Sequence, residues 1–350
     1  MPKHVVPSLS KEFSSHPNRK ACVLVKLTSL LQPTGNATPH LSLGMLSRGS
    51  IMIASVVSVA VCTYRRPAVV ATLASIAQQE LPEGVRVEVI VADNDTGREA
   101  EARVLAAAEL HGLSVAYVHA PERNICVARN ACLDAATGDW LAFLDDDETA
   151  GPGWLVALLS QAERSGCDAV LGPVKATYPP QAPSWLAAAD FHSTAPTFTN
   201  GRILKGYAGN VLIRRSAIER YGLRFDPALG RMGGEDDAFF YRLTDGGGSI
   251  GYARDAVAYE PVTPARLSLT WLLKRSFRTG QTHGSRLLVR RGWFARGVQI
   301  AMAGAKVALC LGGALTAIGS VQSRTRWLVR GALHAGAVAR LAGLKVLELY

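Results

Sequence analysis

The chain has 350 residues, 48% hydrophobic and 19% charged, enough for one large α/β domain plus appendages. Its net charge of +10 is uneven, because residues 264–350 hold fourteen Lys and Arg against a single acid, Glu348, and leave the rest at −3. A nucleic-acid binder would spread basic and aromatic residues over its folded face, so this distribution argues against nucleic acid as a partner.

Residues 1–51 lack strand or helix periodicity, are rich in Ser, Pro, Lys and His, and carry Glu12 as their one acid. Lys26 interrupts the apolar run Val23–Leu31, so no signal-peptide core is evident. This stretch reads as a disordered extension or as sequence upstream of the native start, with Met52 just before the first strand; a transit peptide has a similar composition. Six cysteines (Cys22, Cys62, Cys126, Cys132, Cys167, Cys310) are scattered without a Cys-x-x-Cys, which suggests neither a zinc site nor a disulfide framework and fits a reducing cytosol.

Strands are predicted at Val56–Cys62, Arg86–Ala92, Ser114–His119 and Trp140–Leu144, alternating with helices near Val69–Gln79, Arg98–His111 and Ile125–Ala136. That alternation is the signature of a mainly parallel sheet wound by helices. A helix at Trp154–Arg164, an apolar segment at Asp168–Val174, the Pro-rich stretch Tyr178–Pro183 and a strand at Gly209–Ile213 follow.

Acids gather at the carboxyl ends of these strands, where such sheets bind ligands. Leu141–Leu144 runs straight into Asp145, Asp146, Asp147 and Glu148, and Val89–Ala92 runs into Asp93, Asn94 and Asp95. Stacked carboxylates at a buried strand end repel one another, and a hard divalent cation, Mg²⁺ or Mn²⁺, is the usual compensation. Strand alternation would let Asp145 and Asp147 converge and turn Asp146 away. Glu235, Asp236 and Asp237 follow Gly233–Gly234, where acids suit a helix start and where two neighbours can raise one another's pKa, as a general base near neutrality requires. A solvated acidic turn and simple helix capping are the plainer alternatives.

The order of these pieces, Cys62–Pro67, the Asp93 strand, Arg123–Ile125, Ala128–Asn130, Asp145–Asp147 and Glu235–Asp236, resembles glycosyltransferase family 2 over roughly Val56–His283. Within that family the sequence is most similar to exopolysaccharide (succinoglycan-type) glucosyltransferases. The resemblance implies a GT-A fold and inverting transfer of a sugar, a hexose from a UDP-sugar, to a growing exopolysaccharide or lipid-linked oligosaccharide. It implies that Thr63, Arg66 and Asp93 hold the nucleobase and ribose, that Arg129 lies near the nucleotide, and that Asp145 and Asp147 bind the metal–diphosphate. Asp236, paired with Glu235, would be the base. The family's Gln-x-x-Arg-Trp motif is absent; Arg275, Arg278, Gln281 and His283 occupy that stretch, which favours single addition over processive synthesis. His283 reads either as a ligand or phosphate contact, or as a surface or packing residue. A sugar-nucleotide nucleotidyltransferase would want a Gly-rich, Lys-containing loop that Cys62–Pro67 does not resemble, and a non-catalytic sugar-nucleotide-binding subunit is a further alternative.

The division expected is a GT-A catalytic domain at 52–265 and a basic helical, membrane-associated tail at 266–350. Val298–Val321 is apolar and near the ~20 residues a span needs, but it is Ala- and Gly-rich and has arginines on both flanks. An in-plane or re-entrant helix on an anionic surface, at the cytoplasmic face of the cell membrane, is the preferred reading; a true span and a helix of a soluble bundle are the alternatives.

Overall fold

The computed structural model describes residues 55–230, 232–289 and 292–347, so the expectations for residues 1–51 lie outside it. The chain opens with β1 (Ser55–Thr63), α1 (Val69–Ala77), β2 (Val85–Asp93), α2 (Glu99–His111), β3 (Val115–His119), α3 (Ile125–Ala135) and β4 (Trp140–Leu144). The middle holds β5 (Thr149–Ala150), α4 (Trp154–Ser165), β6 (Ala169–Leu171), β7 (Val174–Thr177), α5 (Ser184–Ala189), β8 (Phe198–Thr199), β9 (Arg202–Ile203) and β10 (Asn210–Arg214). It continues through α6 (Arg215–Arg220), α7 (Glu235–Asp245), β11 (Ile250–Tyr252) and β12 (Ala258–Pro261) to α8 (Leu269–Val289), α9 (Trp293–Thr316) and α10 (Val321–Leu341).

A seven-stranded sheet in the order β11-β6-β10-β4-β1-β2-β3 forms the centre. β1 pairs in parallel with both β2 and β4, and β2 with β3, while β10 is antiparallel to β4 and β6. The mainly parallel sheet wound by helices is therefore observed. Its strands are apolar on both faces because helices cover both. Val57, Val59 and Val61 of β1 pack with Leu73, Trp154 and Leu158 on one side, and Ala60 with Ile90, Phe143 and Phe239 on the other. Each such side chain contributes about 1.5–3 kcal/mol on burial. The segment Asp168–Val174 divides into β6 and β7 around Gly172–Pro173: Pro173 has no N–H to continue the ladder, and β7 joins β12 and β5 in a second sheet.

Register places the functional ends level with one another. Thr63 is paired with Asp93, and Asp93 with His119, at the carboxyl edge of the sheet. Asn210 of β10 lies opposite Leu144 of β4, which brings Gly209 alongside Asp145.

The tail is a helical layer in which α10 packs along both α8 and α9. The backbones approach closely: a Cβ on Gly280 of α8 would collide with the Leu333 carbonyl, and one on Gly336 of α10 with that of Phe277. Gln281, buried, donates to the Lys345 carbonyl and accepts from the Leu347 N–H, both at 2.8 Å. The apolar stretch expected over Val298–Val321 is offset: α9 ends at Thr316, and Ser320 caps a new helix by accepting the Ser323 N–H at 3.2 Å. α9 has a mean hydropathy of 1.6 in its most apolar window and is long and apolar enough to cross a membrane by length and composition. Cys310 and Ala314 face the protein, whereas Trp293 is 87%, Phe294 72% and Leu315 73% exposed.

Candidate active site

β4 delivers its acids into a turn, since the strand stops at Leu144 and strand alternation lapses beyond it. The expectation that Asp146 turns away from the Asp147 side is not met. Asp146 is buried, accepts the Thr63 hydroxyl at 2.8 Å, and shares Nη1 of Arg66 with Asp147 at 2.8 and 2.7 Å. Thr63 and Arg66, both expected at the nucleotide, thus reach the site by bracing its carboxylates. Arg266 adds a second cation 4.0 Å from Asp147.

Arg129 is the residue whose place the sequence obscured. It sits on the second turn of α3, a helix started by Asn124, whose side chain accepts the Cys126 N–H at 3.0 Å. Its side chain is only 7% exposed and lies 2.6 Å from Asp236, 3.2 Å from Glu235 and 3.8 Å from Asp145. It therefore stands between the strand-end acids and the α7 acids, joining the two groups.

The α7 acids are fixed by a special turn. Gly233 and Gly234 have φ of 75° and 95°, a left-handed backbone that suits glycine, and a Cβ at Gly234 would strike the Thr282 side chain of α8. α7 then opens with Glu235, Asp236 and Asp237 in its first turn, where the helix dipole favours negative charge. Asp236 accepts from Arg129 through one oxygen and from the Ala208 N–H at 3.0 Å through the other, so the helix-start reading holds and the acid is held rigidly. Each carboxylate oxygen keeps a lone pair for a further proton donor.

The electrostatics favour an incoming cation. Loss of water raises the Asp145 carboxyl to about 7; Arg129 opposes the shift and the Asp147, Asp236 and Asp146 charges reinforce it. Its side chain is still 43% exposed, so remaining water offsets part of this rise and a ligand can reach the carboxylate. Glu148, buried against Asp145, is raised well above the usual carboxylate range, by burial first and by Asp145 next. Glu235 is raised by burial and then by Asp236. A Cβ at Gly209 would meet Glu148 and Asp145 oxygens at 2.7 and 3.0 Å, so only glycine leaves this edge clear.

No group of three or more His, Cys, Asp or Glu side chains converges as a metal cage among the described residues. Mg²⁺-type sites, however, commonly take one or two protein carboxylates and complete their shell with phosphate oxygens and water. Asp145 and Asp147, close in the same turn and mutually repulsive, fit that donor set.

Asp93 is fully buried and accepts the Tyr117 hydroxyl at 2.6 Å and the Asp95 N–H at 3.0 Å. It borders a cavity of about 240 Å³ that Arg65, Asp95, Glu99 and Arg103 also line. Arg65 pairs with Asp95 at 2.7 Å. Asp95 and Glu148 stood in the acidic strand ends read from the sequence but were given no role of their own, and nothing local announced Tyr117 or Arg266.

The sequence relatives fit this arrangement. Residues 58–222 match the model of Glycosyl transferase family 2. The succinoglycan biosynthesis protein ExoM of Rhizobium meliloti (strain 1021) is 46% identical over 294 residues, covering 84% of this chain and 95% of that protein. The chain belongs to glycosyltransferase family 2. The glycosyltransferase AglE of Haloferax volcanii is a more distant relative, 28% identical over 218 residues, 60% of this chain and 66% of its own length. In fold, the mannosyltransferase PcManGT from Pyrobaculum calidifontis, solved with GDP-Man and Mn²⁺, superimposes with a TM-score of 0.56 at 21% identity, over 81% of this chain and 86% of its own. The sheet of this family 2 enzyme is accordingly of the GT-A type.

Proposed function

We propose that this enzyme is an inverting, metal-dependent hexosyltransferase that moves a sugar from a UDP-sugar to a lipid-linked oligosaccharide during exopolysaccharide assembly. The observation that carries the reading is Arg129, which holds strand-end Asp145 and helix-start Asp236 on either side of one guanidinium. A donor diphosphate at the first and an acceptor hydroxyl at the second would then be neighbours. The identity with ExoM supports exopolysaccharide assembly, and the Mn²⁺ and GDP-Man named for PcManGT support a metal-assisted nucleotide-sugar donor.

In this reading the nucleoside lies in the cavity bordered by Asp93, Asp95 and Arg65. Asp145 and Asp147 would hold a divalent cation, which would supply charge neutralisation of the leaving diphosphate. Arg66 and Arg266, beside Asp147, add positive charge on the same side. Asp236 accepts the proton of the acceptor hydroxyl as that oxygen attacks the anomeric carbon from the face opposite the diphosphate, so the centre inverts without an enzyme nucleophile. Glu235 keeps Arg129 charge-balanced beside the base. The catalytic domain is taken as 52–265, and the tail at 266–350 as its attachment to an anionic, cytoplasmic membrane face, with α9 in the plane or re-entrant.

The test is a screen of nucleotide sugars for nucleotide release with Mg²⁺, Mn²⁺ or chelator, with and without membrane lipid extract. One metal-dependent donor whose turnover rises with extract is expected. Metal-independent release, or no release from any donor, overturns the reading.

A further inference from the structure

A second cavity, of about 200 Å³, lies where α8, α9 and α10 meet the start of α7. Its polar wall carries Lys205, Lys306, His283 and His334 against one carboxylate, Asp237. Lys205 is paired with Asp237 at 3.2 Å, whereas no carboxylate lies within ion-pair distance of Lys306 among the described residues. Both imidazoles are held below their usual range, by burial first and then by neighbouring lysines, Lys205 at His283 and Lys306 at His334. With both imidazoles held toward the neutral form, the two lysines outnumber the one carboxylate, and Lys306 with the imidazole N–H groups can answer an anion. The opposite wall is apolar, with Leu287, Met302 and Leu341. At roughly 30 Å³ per water in the liquid, the space is several waters in volume, room for a phosphate-sized group.

The position ties this cavity to the active site. Asp236 and Asp237 are consecutive on α7, about 100° apart around the helix; the first faces Arg129 and Ala208, the second Lys205 and the cavity. α9 supplies both Lys306 and the outward apolar face, so an amphiphile could rest its chain on that helix while its head group enters between the lysines.

We propose that the cavity lined by Lys205, His283, Lys306 and His334 binds the phosphate or diphosphate head of the lipid that carries the acceptor sugar, presenting that sugar to Asp236. This deepens the proposed function and rests on it for the word acceptor; the binding event itself does not.

Titration of the full chain in detergent with farnesyl diphosphate, farnesol and inorganic diphosphate tests it, with donor-only nucleotide release followed in parallel. Farnesyl diphosphate should bind more tightly than either of the others. Lys306→Glu should weaken it about tenfold or more, as reversing a charge beside a phosphate does, and Lys306→Arg should keep it within about threefold. Lys306 is exposed, so both variants should retain wild-type donor-only release, which also reports that they are folded. Equal binding of farnesol, or unaltered binding by Lys306→Glu, overturns the head-group site. Equal binding of inorganic diphosphate overturns the lipid and leaves a free-phosphate site. Donor release without farnesyl diphosphate binding sinks this inference alone, and binding without release from any donor sinks the transferase reading alone.

Discussion

The donor edge of the sheet and the helical tail hold charge in opposite ways. At the donor edge, Asp93, Asp145, Asp146 and Asp147 sit at or just past strand ends, and fixed arginines partly answer them. Where the tail meets the catalytic domain, Lys205, Lys306, His283 and His334 line a cavity with one carboxylate, beside an apolar helix whose outer face the protein leaves uncovered. The first arrangement concentrates negative charge that a cation can complete; the second concentrates positive charge that an anion can complete. A transferase joining a metal-bound donor to a membrane-borne acceptor needs both, on either side of its base.

The largest effect is expected at Asp236, the proposed base between these regions. Asp236→Asn should lower sugar transfer by roughly 10²–10⁴-fold while calorimetry still finds metal-dependent donor binding; turnover near the wild-type rate would remove Asp236 from that role. Next is the link itself. Arg129→Met leaves three carboxylates around an apolar side chain, and breaking a buried pair of this kind costs about 3–5 kcal/mol. Since the Asp145 carboxyl is already raised to about 7, the loss should shrink between pH 8 and pH 5 as that acid takes up a proton. Denaturant unfolding at both pH values would show it, and an equal loss at the two would mean the guanidinium acts by packing alone.

Within the donor edge, neighbouring acids should fail differently. Asp147→Ala should reduce metal-dependent UDP binding by more than the roughly 10–100-fold that outer-shell changes cost, with little change in melting temperature. Asp146→Ala removes the partner of buried Thr63 and should cost about 1–3 kcal/mol of stability. Identical profiles in calorimetry and thermal melts would erase the distinction. The smallest effect belongs to the tail: Leu309→Asn with Leu315→Asn alters only exposed positions of α9 and should weaken sedimentation with anionic vesicles about tenfold, from roughly 1.5 kcal/mol or more of apolar contact. No change would make the helix an interface for protein and not for lipid. Truncation after Arg291 is a poorer test, because α10 and the residues that cover Gln281 would go with it.

The strand–helix alternation was legible because the central strands are apolar on both faces and two of them, β2 and β4, run into acids; the strand at Trp140–Leu144 matches to the residue, and α1, α2 and α3 to within two. The acids themselves were equally visible. Their partners were not, since Arg129 meets Asp236 across 107 residues and Thr63 meets Asp146 across 83, contacts that no local pattern encodes. Asp146 was misplaced for a simpler reason: the period of two belongs to strands, and the strand had already ended. The tail misled by composition, as the Ala- and Gly-rich apolar sequence carries on from α9 into the turn at 317–320, and only the Ser320 cap marks the stop.

Arg129 has one further consequence. Because a single guanidinium is shared by Asp145, Glu235 and Asp236, any ligand that changes the charge at one end alters the electrostatic state of the other. If donor and acceptor bind at these two ends as proposed, their occupancy is thermodynamically linked, and such linkage is reciprocal: whatever factor donor binding applies to acceptor affinity, acceptor binding must apply to the donor. Synergy between the substrates would thus be wired through one buried side chain, with no domain motion required.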